Sequence, residues 1–169
     1  MAKTFSEARQ GVDELYKSLT QVADDIVNKH TKDIDKLIKE IENNVEKLDN
    51  KDIRMYTLKL SSLAYSLGDL VEHADLKRDC AIALAKEANA KEFNLAAGTV
   101  DTKKNVALIN SSQEQAVSML YNTVADLFKT KLNSVYRVVD SLKNVLISRN
   151  AEAKLQSMSN MPTVEEEQF

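Results

Sequence analysis

The chain has 169 residues, 43% of them hydrophobic and 29% charged, enough for one globular domain. With three Gly, one Pro, no Trp and a single cysteine, the composition argues against a turn-rich sheet protein and excludes an intramolecular disulfide. The net charge of −3 is unevenly spread: residues 1–50 carry 8 basic and 11 acidic side chains, residues 51–160 carry 15 and 12, and residues 161–169 carry none and 3.

The first element starts near Ser6, a helix-capping residue followed by Glu7 near the positive helix end. Val12, Leu15, Leu19, Val22 and Ile26 recur at steps of three and four, the period of a helix with one apolar face. A second run holds Ile34, Leu37, Ile38, Ile41, Val45 and Leu48. The polar stretch Asn28 to Asp33 lies between them. Either the stripe passes through it as 26, 30, 34, which is a coiled-coil stutter, or Thr31 or Asp33 caps a second helix.

Leu48 to Asp52 marks a break, with Asn50 or Asp52 as the next helix cap. From Tyr56 the steps alternate four and three: Leu60, Leu63, Leu67, Leu70, Ala74, Lys77, Ala81, Leu84, Ala88. This is a heptad seam interrupted only by Lys77. A helix from about 53 to 96 would be roughly 65 Å long. Its seam changes from Leu to Ala beyond Leu70, which lets a partner helix approach closely.

Gly98 is placed to end that helix, since glycine accepts positive φ without strain. Thr99 to Asn110 reads as a loop or short helix. Ser111 and Glu114 have the spacing of a capping box, in which each side chain satisfies the other's backbone N–H. A second seam follows: Tyr121, Ala125, Phe128, Leu132, Val135, Val139, Leu142, Leu146. That helix is expected to end near Ala153. Two long seamed helices joined by a modest connector pair most simply as antiparallel neighbours.

The expected fold is therefore all-α. It is a long, coiled-coil-like antiparallel hairpin over residues 51–155, with an acidic helical arm (1–50) packing alongside and a disordered acidic tail (156–169). A two-helix contact cannot bury a wide apolar stripe, so the arm or a second chain has to cover the remainder.

No constellation for catalysis is apparent. His30 and His73 lie in different segments without a second ligand at zinc spacing, so no metal or cofactor is expected. Cys80 sits beside the seam residue Ala81 and reads as a small, partly buried apolar side chain. No phosphate-binding glycine loop occurs, and the expectation is a non-enzyme. No apolar run reaches the length of a membrane span, and the N-terminus lacks the apolar core of a signal peptide. A cytoplasmic protein without a membrane partner is expected.

The basic residues Lys77, Arg78, Lys86, Lys91, Lys103 and Lys104 gather around the end of the first seamed helix and the connector. Basic side chains along a rod can track a phosphate backbone, and Tyr65, Tyr136 and Phe93 are available for stacking on bases. At the C-terminus Glu165, Glu166 and Glu167 precede Phe169. An acidic run closed by Phe resembles the partner-docking tips of single-stranded-DNA-binding proteins.

From Tyr56 to about Arg149 the layout resembles the UvsY-like recombination mediators of T4-type phages. The matching features are the Tyr/Leu-rich helix start, the basic, Ala-rich stretch from Lys77-Arg78 to Lys91, the break at Gly98, Lys103-Lys104, and the Leu142-Lys143 to Ser148-Arg149 stretch of the last helix. Residues 1–50 have no counterpart in that layout. The resemblance implies binding of single-stranded DNA, assembly as a homo-oligomer and help in loading a recombinase, within an infected host cell. It places Lys77, Arg78, Lys86 and Lys91 in the DNA-contacting stretch. The alternative is a phage protein–protein interaction module, either an inhibitor of host defence or a virion or scaffold component.

Overall fold

The computed structural model describes residues 5–159, which form four α-helices and no strand. They are α1 (Phe5–Asn44), α2 (Asn50–Leu95), α3 (Val100–Asn110) and α4 (Ser112–Ser159). The tail residues Glu165, Glu166, Glu167 and Phe169 lie outside the described residues. Helix α4 runs through Ser159, past the expected end near Ala153, so residues 156–159 are helical.

The hairpin is antiparallel along its whole length. Asn50 bonds Asn150 at 3.5 Å, Lys129 bonds Asp75 at 2.7 Å, and Asn89 bonds the Ser111 hydroxyl at 3.3 Å. Each step up α2 is matched by a step back along α4. The turn is only residues 96–99, where Gly98 adopts φ 112. Helix α2 itself stops at Leu95, three residues before Gly98. Thr99 then caps α3, its hydroxyl accepting the Thr102 N–H at 3.3 Å.

The stretch left open as a loop or short helix is thus helix α3, and it belongs to the returning arm. It meets α4 at Ser111. The Ser111 N–H reaches the Ala107 carbonyl and the Gln115 N–H reaches the Ser111 carbonyl. The helical ladder nearly continues, so the expected capping box with Glu114 does not form. Ser111 is fully buried, and its hydroxyl donates to the Ala107 carbonyl at 2.7 Å while accepting from Gln115 at 2.8 Å. The side chain is occupied in satisfying the bend and has no lone pair free for a cap.

Asp49 caps α2. Its carboxylate accepts from the Asp52 N–H at 2.7 Å, and the Asp52 carboxylate accepts from the Asp49 N–H at 3.4 Å. The cap lies before both expected candidates, Asn50 and Asp52, because only Asp49 has an acidic partner three residues on that can complete the reciprocal box.

Helix α1 is one helix, which settles the Asn28–Asp33 question. Its buried residues are Ala23, Val27, Thr31, Ile34 and Ile41, and Leu48 in the turn after it is buried as well. The stripe passes through Thr31, while His30 is exposed with its ring 6.1 Å from that of Phe128. Thr31 can sit in the interface because its hydroxyl donates to Asp35 at 3.4 Å, and Asp35 in turn pairs with Lys131 of α4 at 2.6 Å. Helix α1 runs antiparallel to α2, with the Tyr56 hydroxyl donating to Glu40 at 2.7 Å. It lies on α4, where Arg149 donates to the Leu48 carbonyl.

The core is where the three helices meet. Ile53, Leu60 and Leu67 of α2, Val124, Phe128, Val135 and Leu142 of α4, and the buried face of α1 form one cluster. The α2 seam follows expectation at Tyr56, Leu60, Leu67, Ala74 and Ala81, but rotates elsewhere. Ala64 and Ala85 are buried, whereas Leu84 is 60% exposed. A straight helix of 3.6 residues per turn drifts against a seven-residue repeat, so the buried face precesses when the helices do not supercoil fully.

Candidate interaction surfaces

The covering of the hairpin by α1 is incomplete. Downstream of Ala23 the apolar face of α1 is buried, but Val12, Leu15, Tyr16 and Val22 stand in solvent, Val12 at 66% and Tyr16 at 68% exposed. The level of departure is marked on α2 by Lys77. It borders the small cleft shared with Ile26 and His30 of α1, and also the open groove above it. Lys77 is exposed, and α1 parts from the hairpin at its height, so the charge on the expected seam stays in solvent.

Above Lys77 the groove between α2 and α4 is open. It encloses about 530 Å³ and is lined by Leu76, Cys80, Ala81, Leu84, Val117 and Tyr121, with Lys77, Gln113 and Glu114 at its margins. Cys80 is exposed here, contrary to the expected partly buried position. It falls on the flank of α2 that α1 leaves uncovered. A second open groove, of about 540 Å³, lies near the base of the hairpin between Leu58 and Ser61 of α2 and Leu146 and Ile147 of α4. Arg54 and Lys143 border it, and Leu58 and Ile147 are 72% and 66% exposed.

The six basic residues do not form one strip. Lys77 lines the open groove with Cys80 and Val117, whereas Lys86 lines the opposite side of the hairpin with Ile82, Asn89 and Ser118. Nine residues separate them, two and a half turns, which places them on opposite faces. Arg78 is committed internally, 2.6 Å from Asp75 and 3.0 Å from Asp79. The hydrogen bond to Asp79, with the charges of Asp75 and Asp79, pushes its pKa up from the ordinary value. Asp75 also accepts from Lys129, and that bond, with the nearby Arg78 charge, holds its carboxyl below the usual range.

The remaining four, Lys86, Lys91, Lys103 and Lys104, surround the tip of the hairpin. Lys86, Lys91 and Lys104 are exposed. Lys103 is half-buried and rests 5.9 Å from the centre of the Phe93 ring, a cation–π contact. Every ion pair among the described residues lies below this tip. Glu92 of α2 accepts from Asn110 at 2.7 Å. Tyr65 and Tyr136 are exposed but sit lower on the hairpin.

His73 is exposed, and no group of three or more His, Cys, Asp or Glu among the described residues is placed to hold a metal ion. No helix among them is long and apolar enough to cross a membrane. The open grooves were not visible in the sequence. Their signal was weak: Leu58 and Ile147 are apolar residues just off a seam, and only the bundle shows that nothing covers them. No protein-family model, curated protein or solved structure matches the chain.

Proposed function

We propose that the protein is a phage-type recombination or replication accessory factor that binds single-stranded DNA as a homo-oligomer and assists recombinase loading. The observation that carries the DNA contact is the hairpin tip. Lys86, Lys91, Lys103 and Lys104 gather there next to Phe93, with no carboxylate partner among the described residues. Unpaired ammonium groups attract phosphates and release counterions on binding, and an aromatic ring among them offers a stacking surface. The tip refines the expected stretch. Arg78 is held by two carboxylates, and Lys77 belongs to the groove below.

Fluorescence anisotropy with a labelled oligothymidine tests this reading. Binding is expected at low salt and weakens as salt rises. Replacing Lys86, Lys91, Lys103 and Lys104 together by Ala should flatten the logarithmic salt slope by about 0.7 for each phosphate no longer neutralised. No binding at micromolar protein, or binding that ignores salt, would refute it. Recombinase loading is tested separately by the rate of filament assembly on DNA with and without the protein.

A second reading, a protein–protein interaction module such as a defence inhibitor or a scaffold component, is favoured by the base groove. Exposed Leu58 and Ile147 flanked by Arg54 and Lys143 form an apolar floor with a charged rim. Stoichiometric co-purification of one host or virion protein, abolished by Leu58→Asp and without any DNA affinity, would establish this reading in place of the first.

A further inference from the structure

We infer that the exposed N-terminal part of α1 is an exchange arm: residues 10–22 of one copy occupy the open groove between α2 and α4 of a second copy. The inference rests on the self-association in the proposed function and is independent of DNA binding.

The argument begins with continuity. Residues 23–48 of α1 and the turn after it already lie on the hairpin. Toward the tip the hairpin offers the same kind of surface, apolar and open, at Leu76, Cys80, Ala81, Leu84, Val117 and Tyr121. Toward its own N-terminus α1 carries the same stripe onward at Val12, Leu15, Leu19 and Val22. A helix face and a groove that continue an existing contact, yet do not meet within one chain, are complementary surfaces left unsatisfied in the monomer. Exchange of identical elements between protomers is a low-cost route to such closure, and two-fold symmetry repeats the contact.

Charge does not oppose this pairing. Residues 10–25 carry Asp13, Glu14, Asp24 and Asp25 against one cation, Lys17. Residues 76–121, the hairpin above the covered region, carry six basic and five acidic side chains, with exposed Lys77 at the groove margin. The groove's own charged margin is Lys77 with Glu114, so it bears no net charge against the acidic arm, and Lys77 can extend past the arm to solvent. The area is also sufficient. An arm roughly 20 Å long and 10–12 Å wide covers on the order of 200–250 Å². Two arms and two grooves then bury roughly 800–1,000 Å², near the lower limit of specific, weak or transient interfaces. A reversible dimer in the micromolar range is expected.

The native cysteine provides the test, because Cys80 lines the groove and is the only thiol in the chain. Leu15→Cys and Leu19→Cys place a second thiol on the arm's apolar face, and Lys17→Cys places one on the opposite face. Under mild oxidation, without DNA, the first two should form a disulfide-linked dimer through Cys80 several-fold faster than Lys17→Cys or the unmodified chain. Sedimentation velocity should show the unmodified chain as a dimer or a multiple of it, shifted to monomer by Leu15→Asp and by Leu84→Asp. Both positions are about half exposed or more, so neither substitution threatens the fold of the monomer. A link that closes within one chain would overturn the exchange, showing that the arm bends back onto its own groove. An oligomer that survives both Asp substitutions, with no preferred link, would overturn this contact and leave the proposed self-association standing. A strict monomer at tens of micromolar would overturn both.

Discussion

Ile34→Ala isolates the contribution of α1 to the bundle. Ile34 is 4% exposed and belongs to the core cluster of α1, α2 and α4. The substitution removes about three carbons, roughly 2.4 kcal/mol at about 0.8 kcal/mol per buried CH₂. A cavity adds to this where neighbours cannot collapse, so a total of about 3 kcal/mol is expected, inside the range of roughly 2–5 kcal/mol typical of such truncations. The same truncation at Leu58, 72% exposed in the base groove, should cost less than about 0.5 kcal/mol. Urea unfolding followed by circular dichroism measures both. Hydrogen exchange locates the effect. Amides of residues 23–44 should lose protection before those of α2 and α4, because the hairpin keeps its own seam when α1 lifts away. A cost below about 1 kcal/mol, or simultaneous loss of protection in all three helices, would refute the account of α1 as a separable cover.

The other expectations concern the turn, the bend and the mid-bundle ion pairs. Gly98→Ala should destabilise by about 1–2 kcal/mol, since φ 112 is unfavourable for a side chain and the new Cβ would stand 3.3 Å from Thr102; a thermal melt reads it, and an unchanged midpoint would contradict the strained turn. Ser111→Ala removes the hydroxyl shared by Ala107, Asn89 and Gln115 and should cost about 1 kcal/mol, with faster exchange at the α3–α4 junction. Asp75 titrates below its unfolded value of about 3.9, so its stabilisation is complete above that pH and disappears as pH falls through the lowered folded value. Asp75→Asn should therefore lower stability at neutral pH and flatten its fall in acid, as measured by denaturation at pH 7 and pH 3; an unaltered acid slope would show that the carboxylate contributes nothing.

Much of the fold was legible because it is written in local periodicity. A helix repeats every 3.6 residues, so the seams from Tyr56 and from Tyr121 announced two long helices, and the low Gly and Pro content left few places to interrupt them. Their antiparallel pairing followed from a short connector. Local reading failed where a residue's role depends on a neighbour distant in sequence. Ser111 had the spacing of a cap, but Asn89 and the Ala107 carbonyl claim its hydroxyl. Whether Thr31 capped a second helix or lay within a continuous one was open in the sequence, and Asp35 with Lys131 of α4 makes it acceptable in the interface.

The same division applies to the candidate sites. Composition alone identified the basic residues near Gly98, because charge is a property of sequence. Whether those charges are free was decided by partners that the fold brings to them. Asp75 and Asp79 hold Arg78, Lys77 borders a groove, and the four lysines at the tip meet no carboxylate among the described residues. The sequence determined that the hairpin needs a cover and that α1 carries an apolar stripe to provide one. Only the tertiary structure decided how far that cover extends. Burial depends on the path of one helix relative to two others, and α1 leaves the hairpin at the height of Lys77.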